Sequence, residues 1–143
     1  MPSDTAALFT ARCYCGASRL TLNGAPLTVA YCHCRDCRRW TGAAAAAFAA
    51  FDRSGLDQDL GAPRIGTPGV ERWNCPDCGS PLAAAFDYLP GQVYIPVGII
   101  DQADALHPAL HCHADSALPW LHIGDALPRE TGSARATLNA SAT

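Results

Sequence analysis

Seven of the eight cysteines in this 143-residue chain fall into three tight groups: Cys13 and Cys15; Cys32, Cys34 and Cys37; Cys75 and Cys78. Cysteines one or two residues apart rarely close disulfides with each other, because the backbone must bend sharply to join the sulfurs, whereas a tetrahedral ion accepts such pairs readily. Four ligands plus three predict two zinc sites.

Cys13, Cys15, Cys75 and Cys78 read as the closed, structural set. Each pair sits in a short turn followed by glycine, Gly16 or Gly79, which lets the backbone fold around an ion. The competing readings are buried small hydrophobes or a redox Cys-x-x-Cys, to which Pro76 lends some support. Cys32, Cys34 and Cys37 supply three thiolates from six residues. Three protein ligands leave one coordination position free, the mark of a metal that meets water or substrate. A fourth ligand from His33, His111, His113 or an aspartate would instead close the site. His33 is the weakest of these, since a residue between two ligands points elsewhere.

Length allows one domain with a real core beside its metal sites. Met1 to Thr10 has neither a basic nor an apolar leader pattern, so the expectation is a cytoplasmic protein with reduced thiols. The longest apolar run, Ala43 to Phe51, is about half of the ~20 residues that span a bilayer, which argues against a membrane partner. The formal charge of −3 becomes more negative once cysteine thiolates hold dications, so nucleic acid is a poor partner. All ten basic residues are arginine, so no lysine can form an imine. Arg35, Arg38 and Arg39 surround Cys37 in sequence.

Strand signals outnumber helix signals. Ser18 to Leu22 alternates towards a turn at Asn23-Gly24, and Leu27 to Tyr31 leads into Cys32. Leu82 to Tyr88 and Val93 to Ile100 read as a hairpin about Pro90-Gly91. Ala43 to Ala50 has the propensity of a helix, though its flanking aromatics would also suit a buried strand. Gly61 to Gly69 reads as a loop, and Arg129 to Thr143 as a frayed tail. In His111-Cys112-His113, strand alternation would turn the histidines one way and leave Cys112 a buried free thiol. Trp40 and Trp120 read as packing residues.

Cys13-Tyr14-Cys15-Gly16, the run from Cys32 to Arg38 with Thr41-Gly42, Gly69 to Arg72, Cys75 to Leu82, His111 and Pro119-Trp120 occur in an order that resembles the glutathione-dependent formaldehyde-activating enzyme family, or CENP-V/GFA domain. The resemblance runs over residues 13–129, with 1–12 as an N-terminal segment and 130–143 as the tail. It implies a mainly β, Mss4-like fold. It also implies a structural zinc on Cys13, Cys15, Cys75 and Cys78 and a second, more labile zinc on Cys32, Cys34 and Cys37. The implied activity is that of a carbon–sulfur lyase joining glutathione and formaldehyde into S-(hydroxymethyl)glutathione. The alternative is a non-catalytic zinc-stabilised binding or scaffold module.

On the enzymatic reading the open zinc site is the catalytic one. The partner is a small thiol or thiol adduct, and Arg38 and Arg39 pair with substrate carboxylates or offset the negative zinc–thiolate centre. The chain departs from the family pattern at Asn74, where an aromatic is common, and at Cys112, where an aliphatic residue is common. The alanines from Ala43 to Ala47 are smaller than usual and would widen a cavity they lined.

Overall fold

Strand β1 (Leu8–Arg12) pairs antiparallel with β2 (Arg19–Asn23), while seven further strands make one larger sheet in this computed structural model, which describes residues 8–140. These seven are β3 (Thr28–Cys32), β4 (Ala46–Asp52), β5 (Ile65–Thr67), β6 (Val70–Asn74), β7 (Pro81–Phe86), β8 (Gln92–Pro96) and β9 (Leu110–Cys112). Their spatial order is β9-β3-β4-β8-β7-β6-β5. Every pairing is antiparallel except β9 with β3, which sets Cys112 opposite Cys32. Two short helices, α1 (Arg35–Thr41) and α2 (Arg135–Ala140), complete the regular elements among the described residues, apart from single 3-10 turns.

The central strands are buried on both faces, and their period of two sorts side chains into two cores. From β4, Ala49 and Phe51 join Val93 and Ile95 of β8 and Ala83 and Ala85 of β7 on one face, under the β1–β2 pair. Ala46, Phe48 and Ala50 join Tyr94 and Ala84 on the other, with Cys37, Cys112 and Leu138. Ala43 to Ala50 therefore does not form the helix that propensity predicts. Helix propensity differs by tenths of a kcal/mol per residue, whereas a strand hydrogen-bonded to β3 and β8 and packed on both sides gains far more. Ala46 to Asp52 is a strand.

The other expectations fare unevenly. Strands occupy the predicted positions in β2, β3, β7 and β8, and β7 and β8 are antiparallel neighbours. The run ending at Ile100 leaves the strand at Pro96 and closes as a 3-10 turn over Val97–Ile99. The loop from Gly61 to Gly69 contains the short edge strand β5. Instead of fraying, residues 130–140 dock, while 141–143 of the expected tail lie outside the described residues. Arg129 bridges to His111, Leu138 is 5% exposed, Gln92 Nε2 donates to the Leu138 carbonyl at 3.2 Å, and Asn139 Nδ2 donates to that of Tyr88 at 3.1 Å. Trp40 packs against Phe48, but Trp120 is exposed to solvent and packs no core. No helix among the described residues is long and apolar enough to cross a membrane.

Candidate metal centres

The turn from β1 to β2 carries Cys13 and Cys15, and the turn from β6 to β7 carries Cys75 and Cys78. Gly16 and Gly79 hold φ of +85° and +80°, a left-handed conformation that closes each turn with little strain only for glycine. The Ser18 and Ala17 amides donate to Cys13 Sγ at 3.2 Å and Cys15 Sγ at 3.5 Å, contacts that favour the thiolate. All four sulfurs lie within 4.8 Å of one another. Cys13 to Cys15 is 3.6 Å and Cys15 to Cys75 is 3.9 Å, close to the edge of about 3.8 Å in a tetrahedron with metal–sulfur bonds of about 2.3 Å. Cys13 and Cys75 belong to the core between the β1–β2 pair and the large sheet. All eight cysteines are free of disulfides, and this set fits a dication held by sulfur.

Cys32 ends β3, and Cys34 caps α1, its Sγ accepting from the Cys37 amide at 3.3 Å. One turn of helix brings Cys37 Sγ back, so that the three sulfurs also lie within 4.8 Å of one another. Among the described residues no fourth sulfur, imidazole or carboxylate joins them. Hydrogen bonding from Cys32 first, then Cys37, pulls the Cys34 thiol down, and donating to Cys34 pushes Cys32 up. The three therefore do not ionise together without a cation, and binding one releases protons.

These thiols border a cavity of about 200 Å³ that Phe48, Arg72, Phe86, Tyr88, Cys112, His113 and Leu138 also line. Arg72 is the arginine brought to the cluster. Reaching from β6, it is 2% exposed, and its Nη2 lies 2.6 Å from Asp36 Oδ2 and 3.8 Å from Cys37 Sγ. Its guanidinium stacks 4.6 Å from the Trp40 ring centroid and 5.5 Å from that of Phe86. Arg38 and Arg39, the arginines adjacent to Cys37 in sequence, do not line the cavity. Each residue along a helix turns about 100°, so these two are carried off the face that Cys37 presents.

Asn74, the departure from the family pattern, ties the two centres together. Its Oδ1 accepts from Trp40 Nε1 at 3.0 Å, and its Nδ2 donates to the Gly79 carbonyl at 3.0 Å. One amide thus joins the helix carrying Cys37 to the turn carrying Cys78.

Two of the three candidate fourth-ligand histidines, His33 and His111, are engaged elsewhere. His33 Nε2 meets His111 Nδ1 at 2.8 Å, and His111 Nε2 meets Asp125 Oδ2 at 3.0 Å. Arg129 Nη1 donates to Asp125 Oδ1 at 2.8 Å. The expected alternation breaks at His113, whose φ of 52° ends β9 and lets it line the cavity beside Cys112. Cys112 is the expected buried free thiol, pushed up to about 12 by burial and neighbouring negative charge.

Sequence reasoning missed Asp125. Its burial favours the neutral form, but hydrogen bonds from His111, the Leu127 amide and Arg129 outweigh this and hold it at about 2. With an unfolded value near ~3.9, its stabilising contribution is complete above that pH and is lost as pH falls towards 2. Thermal melts should show a gap between the parent and Asp125→Asn that is widest above pH ~4 and closes towards pH ~2. A gap constant over that range would exclude this role.

A sequence model described as glutathione-dependent formaldehyde-activating enzyme matches residues 8–116. The crystal structure of a Rhodobacter sphaeroides protein, a structural-genomics target, superimposes with a TM-score of 0.51 at 21% identity, covering 85% of this chain and 99% of that one. At that identity the likeness bears on the fold alone. No curated protein matches the chain. With the model spanning most of the sequence and both cysteine sets assembled in a mainly β, Mss4-like fold, the chain belongs to the glutathione-dependent formaldehyde-activating enzyme family.

Proposed function

We propose that this protein is a zinc-dependent carbon–sulfur lyase-like enzyme that makes and breaks adducts of small thiols with formaldehyde, of the type S-(hydroxymethyl)glutathione. The observation carrying this reading is the contrast between the clusters: four thiols close round one point at the edge of a core, while three line a cavity and leave a position open. Zinc, when bound there, supplies a Lewis-acid position that favours a thiolate at neutral pH.

The chain's own residues do the rest. Cys32, Cys34 and Cys37 hold the ion. Arg72 offsets the negative charge of the cluster through Cys37, and the apolar walls exclude water. In the forward direction the thiol sulfur bonds to the formaldehyde carbon, the carbonyl π bond opens, and the thiol proton ends on the new hydroxyl oxygen. The reverse step returns thiol and aldehyde.

The test is a thiol panel that includes glutathione, titrated into protein carrying two zinc ions, followed by exchange NMR with formaldehyde. Binding of at least one thiol is expected, lost in Cys34→Ala, with acceleration of about tenfold, or ~1.4 kcal/mol of barrier, since the uncatalysed addition is already quick. Binding without acceleration would turn the reading towards a non-catalytic module. Absence of thiol binding in fully loaded protein would refute it.

A further inference from the structure

We propose that the cavity beside Cys32, Cys34 and Cys37 selects a compact, largely apolar thiol and disfavours a tripeptide such as glutathione; this rests on the thiol–formaldehyde reading and names its substrate class. The cavity of about 200 Å³ is smaller than the roughly 300–1,000 Å³ of common ligand pockets. Phe48, Phe86, Leu89, Tyr94 and Leu138 contribute large apolar side chains to its wall. They stand on β4, β7, the turn after β7, β8 and α2. Four of the five are buried in the core shared with Cys37, and Phe86 packs against it, so the wall is a fixed surface.

Charge points the same way. Arg72 is the one permanently cationic side chain on the lining, and it is already engaged. Its Nη2 faces Asp36 and Cys37, aromatic rings cover its plane, and its Nη1 is sealed from solvent without a hydrogen-bond partner. A carboxylate entering the cavity would find no free guanidinium, only the His113 imidazole, and would face Asp36 and the cysteine thiolates. Glutathione brings two carboxylates, an ammonium and two amides, all of which must leave water or stay outside. With Arg38 and Arg39 off the lining, no arginine clamp receives them. A benzyl or branched alkyl group instead meets carbon on most sides, with its sulfur directed at the cluster.

Calorimetric titration of the zinc-loaded full chain decides this. Benzyl mercaptan should bind about 10- to 100-fold more tightly than glutathione, the difference expected for one or two polar groups left without partners. Leu138→Trp, which fills the cavity from α2, should weaken benzyl mercaptan at least ~10-fold while the zinc count stays at the parent value. Leu138→Phe serves if the indole prevents folding. Glutathione binding as tightly as benzyl mercaptan, or a filled cavity with unchanged affinity, would overturn the selectivity and leave the thiol–formaldehyde reading in place. No thiol binding by protein carrying both ions would overturn that reading and this inference with it.

Discussion

Replacing Cys75 by serine is expected to abolish folding, whereas Cys34→Ser should leave a folded protein that carries about one zinc fewer. Cys75 is fully buried and Cys13 is 1% exposed, and together they join the β1–β2 pair to the β6–β7 turn inside a core. A structural zinc site of this kind contributes about 10–16 kcal/mol to folding. Whole-domain stability is only about 5–15 kcal/mol, so a damaged site there removes most or all of it. Cys34 is partly exposed, at the cavity end of a seven-residue helix that the sheet already supports. The serine hydroxyl can take over the helix cap that the sulfur provides, so the loss is chiefly one ligand of the ion. Far-UV circular dichroism and zinc counting distinguish the two, and equal unfolding of both variants would contradict the division into structural and open sites.

The second large effect belongs to Arg72. Arg72→Met keeps most of the stacked volume between Trp40 and Phe86 but removes the charge that faces Asp36 and Cys37. Asp36 is largely exposed and stays solvated, so the loss falls mainly on the cluster and on the cation–π stack. Destabilisation of about 2–4 kcal/mol is expected, with zinc affinity at the second site weakened about 10- to 100-fold in chelator competition. Arg72→Lys should rescue little, because an ammonium cannot lie flat between two rings and still reach both acceptors. Unchanged melting and unchanged chelator competition in Arg72→Met would remove Arg72 from the site.

Arg72 also shows where sequence reading stops. The cysteine groups are legible because their spacing is local: a turn or a helical cap places two or three sulfurs together wherever the rest of the chain goes. Arg72 is 35 residues from Cys37 and meets it only through the pairing order of the sheet. Adjacency in sequence favoured Arg38 and Arg39, and helix rotation takes both off the cavity. The alanines of β4 mislead for a related reason: intrinsic propensity describes an isolated segment, and this one has neighbours on two edges and two faces. The docking of residues 130–140 was hidden by their small, polar composition, since their anchoring rests largely on Leu138. His33 and His111 were legible as candidates for the second centre. That they pair with each other, and with Asp125, depends on the parallel contact between β9 and β3 and on a loop 14 residues beyond His111.

The family match ends at residue 116, yet Ser133 and Leu138 form part of the cavity wall. Part of the cavity wall is therefore written in a stretch of chain separate from the cysteine frame. The cysteine frame is under constraint at every ligand, while the closing segment can exchange one apolar residue for another, or change length, without disturbing a metal–sulfur bond. Proteins sharing this frame can thus diverge in what the cavity admits while keeping both sulfur sets intact.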